Sequence, residues 1–156
     1  QVGTLAEQER VIAEGAGAAG IAALYGYRQK FAGKKVGVVI CGGNIDMRLL
    51  GTILNRNMMS DGRLVRLRID ISDEPGMLAS ISAAIGESGG NIVEIYHQRM
   101  FYDVPAKLAK IDAVVDTRGQ AHVEEIIAAL VARHFSVSII DEQSYRERAY
   151  SPVGKA

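Results

Sequence analysis

The sequence is poor in the residues that mark several classes of protein. It has one cysteine, three prolines and no tryptophan among 156 residues. A single cysteine excludes an internal disulfide and any zinc site built from several cysteines. The longest apolar runs fall well short of the roughly 20 residues that a membrane-spanning helix needs. We therefore expect no structural zinc and no membrane partner.

Neither sign of charge is in excess. Eighteen basic residues balance eighteen acidic ones, so no global field favours nucleic acid as a partner. The first ten residues are polar and lack the apolar region of a signal peptide, which predicts a cytoplasmic protein. Hydrophobic residues make up 48% of the chain and charged residues 23%, as in ordinary globular proteins.

Residues 1–60 predict a helix, a strand and a second helix. Residues 5–31 are mostly good helix formers, and residues 35–40 (KVGVVI) are typical of a strand buried in a parallel sheet. Asn44 is a suitable N-cap for the second helix. The apolar stripe of that helix holds Met47, Leu50, Ile53 and Leu54. Because one strand cannot bury its own apolar surface, we expect the end of a larger α/β domain. A start at Gln1 rather than Met agrees with a piece of a longer protein.

Residues 64–142 predict the order strand, helix, strand, strand, helix, strand. Apolar and polar residues alternate in residues 65–72 and again in residues 109–117, which is typical of half-exposed strands. The segment between the first and second strands has apolar residues at helical spacing on one face, and so does the segment between the third and fourth strands. This order is the ferredoxin-like βαββαβ arrangement, with two helices on one face of the sheet. Residues 143–156 have no apolar period, and we predict a mobile tail.

The hexapeptide GAGAAG, residues 15–20, matches the GxGxxG fingerprint of dinucleotide-binding domains. That function needs a full strand before the glycines and an acidic residue at the end of the next strand. Only three apolar residues precede the motif, and the next predicted strand ends at Cys41. A free-standing nucleotide-binding domain is therefore the weakest hypothesis. We interpret the small residues as a surface that lets the helix approach another backbone closely.

Four roles are open to Cys41. A nucleophile needs a base, and residues 1–60 contain no histidine. A metal ligand lacks partners, whereas a small buried hydrophobe is the common state of a lone cysteine. The predicted position at the carboxyl end of a buried strand favours a ligand contact, because α/β sheets place ligands there. The two glycines that follow, Gly42 and Gly43, would let that ligand come close.

The remaining candidates are weaker. His97, His122 and His134 have no metal-binding spacing, and we expect solvated side chains at a strand end and on a surface helix. In SDEPGMLA, the turn at Pro75 places the free backbone N–H groups of Gly76 and Met77 at a helix start, where they can bind a carboxylate or phosphate. A plain strand-to-helix turn is the alternative for this segment.

Three stretches carry a resemblance to a known family. EGAGAAGIAAL, GKKVGVVICGGNID and GRLVRLRIDISDEPGMLASISAAIGESGGNIVEIYHQR resemble, in this order and spacing, the carboxyl-terminal part of threonine ammonia-lyases with a single ACT domain. The likeness covers nearly all of residues 8–142. It implies that residues 1–60 end a pyridoxal-phosphate domain of the tryptophan-synthase-β fold, and that residues 64–142 are a regulatory ACT domain.

The resemblance also implies cofactor contacts. Cys41 matches the residue that faces the pyridine nitrogen of pyridoxal 5'-phosphate, with Gly42 beside it, and Glu14 matches an acidic residue near the ring. A neutral thiol leaves the ring a weaker electron sink than an aspartate does, which suits loss of the threonine hydroxyl. The family's Schiff-base lysine and phosphate-binding glycine loop lie upstream of this sequence. We therefore expect the chain alone to be inactive.

An effector site follows from the ACT resemblance. ACT domains usually bind amino acids between paired copies, so we expect a homo-oligomer and an effector such as isoleucine or valine. The residues that match the usual effector position lie in the loop DEPGML and at the start of the second strand: Asp73, Gly76, Met77, Leu78, Asn91 and Ile92.

The implied reaction converts threonine to 2-oxobutanoate and ammonia, with serine as a possible second substrate, in amino-acid metabolism that includes isoleucine biosynthesis. The alternative is a stand-alone, non-catalytic module that binds an amino acid through its ACT segment. Cofactor absorbance in the complete protein separates the two, because only the enzyme predicts it.

Overall fold

The computed structural model describes residues 1–98 and 108–140. The chain divides into two compact units, residues 1–57 and residues 58–156. The predicted mobile tail, residues 143–156, lies outside the described residues. Within the described part, no helix combines the length and apolar character required to cross a membrane.

The first unit consists of helices and irregular segments. Its elements are α1 (Val2–Thr4), a π-helical turn (Leu5–Glu9), α2 (Ala19–Gly26), α3 (Arg28–Phe31) and α4 (Met47–Ser60), whose last turn belongs to the second unit. The prediction of one helix over residues 5–31 is wrong. Arg10 adopts a left-handed conformation, with φ 59°, and ends the π-helical turn. Residues 11–18 then form no helix. This stretch contains Gly15 and Gly17, and glycine has a lower helix propensity than every residue except proline.

The strand predicted over residues 35–40 is absent. Val39 is 86% exposed, and Val36 and Ile40 are 43% and 37% exposed. A strand is held by hydrogen bonds to a neighbouring strand, and the described residues of the first unit contain no second strand to provide them. Residues 35–40 therefore form an exposed apolar segment rather than a strand.

The helix α4 is capped by Asp46 rather than by Asn44. The backbone N–H of Leu49 donates to Oδ1 of Asp46 at 2.9 Å, and the Asp46 carbonyl accepts the first helical bond from Leu50 at 2.9 Å. Leu50 is buried, whereas Met47 of the predicted stripe is 65% exposed. The small core of this unit holds Val2, Leu5, Ala13, Ala18, Ile45 and Leu50.

The second unit has the predicted ferredoxin-like α/β fold. Its elements are β1 (Leu64–Ser72), α5 (Met77–Glu87), β2 (Asn91–Gln98), β3 (Leu108–Asp116), α6 (Gln120–Ala132) and β4 (Ser136–Ile139). The strands form one sheet in the order β2-β3-β1-β4, and every neighbouring pair is antiparallel. Leu67 of β1 lies opposite Ala113 of β3, and Ile69 lies opposite Ile111.

The core of the second unit lies between the sheet and the two helices. Alternate residues of β1 and β3 pack there with Ile81 and Ile85 of α5 and with Ile126 and Leu130 of α6, and all four of these helix residues are fully buried. The opposite face of the sheet is less exposed than its alternating pattern predicts. Arg68 there is only 8% exposed and Asp112 is completely buried.

Candidate functional site

The structure brings the three predicted cofactor residues together in the first unit. The backbone N–H of Glu14 donates to the carbonyl oxygen of Gly42 at 2.8 Å. Gly42 has a φ of +80°, and a Cβ added there would lie 2.5 Å from Oε1 of Glu14. The Glu14 carboxylate therefore covers the backbone of Gly42, beside Cys41.

The glycine-rich stretch provides room for this contact. A Cβ at Gly17 would lie 2.1 Å from the carbonyl oxygen of Cys41, and a Cβ at Gly20 would lie 2.5 Å from Cγ1 of Val38. Gly15, in the same hexapeptide, has no neighbour within 4 Å of its Cβ position. The small residues thus permit a close approach to residues 38–42, which agrees with our interpretation of the motif.

Cys41 itself is an exposed, free thiol. The buried-hydrophobe role is therefore wrong for this residue. A weakly polar thiol beside a glycine leaves an open face against which a flat ring can lie, and a carboxylate stands next to it. Among the described residues, no group of three or more histidine, cysteine or acidic side chains is arranged to hold a metal ion.

The first half of the predicted effector site is the loop that follows β1. Gly76 is the N-cap of α5 in a left-handed conformation, with φ +91° and no capping side chain. The carbonyl of Gly76 accepts a bond from Ser80 at 3.0 Å, while the N–H of Met77 points to the Glu74 carbonyl at 3.5 Å. The N–H of Leu78, one residue further on, belongs to the first turn, whose N–H groups have no acceptor within the helix. The first-turn N–H groups, that of Leu78 among them, are therefore the backbone donors that this loop offers to a carboxylate.

The side chains of this loop face two ways. Met77 packs against the core, whereas Leu78 is 37% exposed. Asp73 lies on the surface at the start of the loop. Leu78 and Asp73 are therefore the two predicted effector residues of this loop whose side chains reach solvent.

The second half of the predicted effector site is the start of β2. Asn91 is exposed and lies opposite Asp116, and Ile92 is half-buried and lies opposite Val115. The register shifts between Ile92 and Glu94, so Val93 forms a bulge and is 51% exposed. Bulges redirect side chains next to functional sites, and this one turns an apolar residue outwards beside Asn91. The sequence pattern did not reveal Val93 as a candidate.

The two halves lie at opposite ends of the sheet. The loop follows Ser72, which pairs with Leu108 at one end of β3. Asn91 pairs with Asp116 at the other end, where β1 begins at Leu64. The length of β2 separates the ends by about 23 Å at 3.3 Å per residue. One copy of the chain therefore does not bring the six predicted effector residues together.

His122 is buried, although its side chain was expected from the sequence to be solvated. It is only 4% exposed. Its Nδ1 accepts a hydrogen bond from the backbone N–H of Arg118 at 3.0 Å, and its Nε2 lies 2.7 Å from the carbonyl oxygen of Ser88. The signal was available, because His122 precedes Ile126 and Leu130 at intervals of four residues and so shares their buried face.

Comparisons with known proteins identify a matching domain and two similar enzymes. Residues 65–132 match the model of the ACT domain. Over 136 residues, 87% of this chain, the sequence is 39% identical to an L-threonine ammonia-lyase of Thermotoga maritima. It is 32% identical over 136 residues to an L-threonine ammonia-lyase of Geobacter sulfurreducens.

The chain spans about a third of these relatives, 34% of the length of each. Among solved structures, a prephenate dehydratase from Staphylococcus aureus matches 50% of this chain and 29% of its own, at 20% identity and a TM-score of 0.40. The resemblance to threonine ammonia-lyases predicted from the motifs is confirmed, and the match to the ACT domain lies within the second unit.

Proposed function

We infer that this chain is the carboxyl-terminal part of a pyridoxal-phosphate-dependent threonine ammonia-lyase whose ACT domain binds a regulatory amino acid. The similarity to two threonine ammonia-lyases over 136 of 156 residues carries this proposal. A match of that length extends beyond the ACT domain and takes in the segment around Cys41. The substrate is threonine, with serine as a second candidate, and the products from threonine are 2-oxobutanoate and ammonia.

Cys41, Gly42 and Glu14 form one wall of the cofactor site in this proposal. When bound, the cofactor supplies the electron sink that an elimination at the amino-acid substrate needs. The Cys41 thiol would face the ring nitrogen, and Gly42 would leave room for the ring. Glu14, fixed by its N–H bond to the Gly42 carbonyl, places a carboxylate beside them. Their role is to bind and orient the ring, and the Schiff-base lysine belongs to the part of the enzyme outside this chain.

The effector site lies between two copies of the ACT domain. Because the loop at Gly76 and the strand start at Asn91 lie at opposite ends of one sheet, a single amino acid can touch both only across an interface. A twofold axis brings the loop of one copy to the strand start of its partner and creates two equivalent sites. The edge strands β2 and β4 are open to such pairing.

The chemistry of the two halves supports an apolar amino acid as the effector. The first-turn N–H of Leu78 suits its carboxylate, since a helix N-terminus favours an anion. Leu78 and the bulged Val93 offer partly exposed aliphatic surface for its side chain. Isoleucine and valine fit this combination, and they place the enzyme under the control of branched-chain amino-acid synthesis.

Calorimetry on this chain tests the effector site. We expect heat on adding isoleucine or valine, a smaller response to serine or threonine, and a shift from monomer to dimer in sedimentation. Asn91→Ala should weaken binding at least fivefold, whereas Glu124→Ala, on the exposed side of α6, should leave it unchanged. Absence of heat with all four amino acids would overturn the effector assignment.

The complete enzyme tests the catalytic assignment. We expect cofactor absorbance and production of 2-oxobutanoate from threonine, with activity kept in Cys41→Ser and lost in Cys41→Asp, because an aspartate enforces a protonated ring. A complete protein with neither absorbance nor keto-acid production would instead establish the stand-alone amino-acid-binding module.

A further inference from the structure

We propose that His122 links the strand start that carries Asn91 to the segment through which the chain enters the ACT domain, Asp61–Arg63, so that binding at Asn91 is transmitted to that segment. This proposal rests on the proposed effector site and adds the route by which it acts. All of the contacts that support it lie within the second unit.

The imidazole of His122 joins two backbone segments at once. Its Nδ1 accepts the N–H of Arg118, so that nitrogen carries no proton. The proton is therefore on Nε2, which donates to the carbonyl of Ser88 at 2.7 Å. The neutral ring thus acts as donor and acceptor in one buried position, between the end of α5 and the start of α6. Glutamine is another side chain that carries a donor and an acceptor at similar spacing.

On one side, Ser88 is fixed to Asn91 through a tight turn. Gly89 has a φ of +83°, and a Cβ there would lie 2.9 Å from Nη1 of Arg118 and 3.7 Å from Nε2 of His122. Gly90 donates its N–H to the Ile85 carbonyl at 3.0 Å. A Cβ at Gly90 would lie within 3.0 Å of side-chain atoms of three core residues, Ile85, Val115 and Ile126. A turn packed so closely cannot absorb a displacement of Asn91, so the displacement reaches Ser88.

On the other side, Arg118 is fixed to the entering segment. Thr117, the preceding residue, donates its N–H to the Arg63 carbonyl at 2.9 Å, and its hydroxyl donates to the Gly62 carbonyl. Gly62 has a φ of +67°, and a Cβ there would lie 2.8 Å from the backbone nitrogen of Gln120. The entering segment is therefore held by the same residues that present the Arg118 N–H to His122.

These contacts form one connected route at a single end of the sheet. Asn91, Asp116 and Leu64 occupy that end by register. The route passes from the β2 start through His122 to Thr117 and then to Arg63. Physical connection alone does not establish coupling, so the test must separate transmission from general loss of stability.

Hydrogen exchange in the free chain provides that separation. His122→Leu removes both ring bonds, and we expect the amides of Thr117 and Gly90 to exchange about tenfold faster, since the loss of these hydrogen bonds makes local opening easier. Neither amide touches the ring. His122→Gln should restore protection at both sites. Val123→Ala, at the fully buried neighbour, should raise exchange evenly across the domain. Equal patterns in His122→Leu and Val123→Ala would overturn the link.

Exchange with isoleucine added then tests transmission. We expect isoleucine to slow exchange at Thr117 in the wild-type chain and in His122→Gln, and to have no effect at Thr117 in His122→Leu. Equal protection of Thr117 in the leucine variant would overturn the transmission route. If isoleucine fails to bind the wild-type chain, the effector assignment fails instead, and the ligand-free exchange pattern decides the His122 link by itself.

Discussion

The carboxylate of Asp112 accepts two hydrogen bonds from the guanidinium of Arg68, each 2.7 Å long, on the sheet face opposite α5 and α6. Arg66 donates a third bond to the same carboxylate at 2.9 Å. Asp112 and Arg68 face each other directly in the register of β3 and β1, and Asp112 is completely buried. Replacing one member of such a buried, hydrogen-bonded ion pair is expected to lower the free energy of unfolding substantially.

Asp112→Asn should destabilise the second unit. The variant keeps the shape of the side chain but removes the negative charge that Arg68 and Arg66 both contact, so we expect a loss of about 3 kcal/mol in the free energy of unfolding. Asp70→Asn is the matched control, because Asp70 also faces a cation, Lys110, at 3.6 Å but is half exposed. We expect less than about 1 kcal/mol there. Urea unfolding measures both.

A paired replacement checks the cause of that loss. Arg68→Met with Asp112→Leu removes both charges and should recover more than half of the stability lost in Asp112→Asn. If the double variant is no more stable than Asp112→Asn, the loss comes from packing on this face rather than from the loss of the carboxylate charge.

The acid dependence of stability should depend on Asp112. Burial alone raises the pKa of its carboxyl, but the hydrogen bonds from Arg68 and Arg66 outweigh burial and hold the pKa below the ordinary value of 3.8. A group with a lowered folded-state pKa contributes stability above its unfolded pKa and loses it as pH falls through the folded pKa. The difference in unfolding free energy between wild type and Asp112→Asn should therefore shrink below about pH 4. A difference that stays constant down to pH 2 contradicts this assignment.

The second unit could be predicted from its sequence because its signals are local and agree with one another. The alternation of residues 65–72 predicts β1, observed as Leu64–Ser72. Gly76 and Asn91 correctly mark the starts of α5 and β2. The sequence did not predict the burial of Arg68 and Asp112. Alternation predicts that the polar residues of a strand face solvent, and only the register shows that these two lie opposite each other.

The first unit was harder to predict because a run with strand composition forms a strand only where a partner strand is present. The run at residues 35–40 has strand composition, but the pairing partner of a strand is not encoded in the run itself. The cap shifted from Asn44 to Asp46, within the usual uncertainty of helix ends. The site residues Glu14 and Gly42 could be placed together only through the resemblance, because 28 positions of irregular chain and helix separate them.

Gly76→Ala should destabilise the second unit by about 1 kcal/mol. The φ of +91° at Gly76 is unfavourable for a residue with a side chain, while no atom lies within 4 Å of the added Cβ. The cost therefore comes from the backbone alone. Gly86→Ala, in the same helix and also with open space around its Cβ, should stabilise by about 0.5–1 kcal/mol. Urea unfolding of the two variants should give shifts of opposite sign, and shifts of the same sign would be evidence against a left-handed Gly76.

Gly17→Ala should separate the glycine-rich stretch from Cys41. The added Cβ would lie 2.1 Å from the Cys41 carbonyl oxygen, a backbone atom that cannot move without shifting its segment. We expect a cost of roughly 1–3 kcal/mol, faster hydrogen exchange at the Glu14 amide that donates to Gly42, and a changed rate of thiol labelling at Cys41. Gly15→Ala is the control, since its Cβ position is open, and it should leave exchange and labelling unchanged. Equal behaviour of the two variants would mean that the close approach of Gly17 to Cys41 does not hold the proposed cofactor wall together.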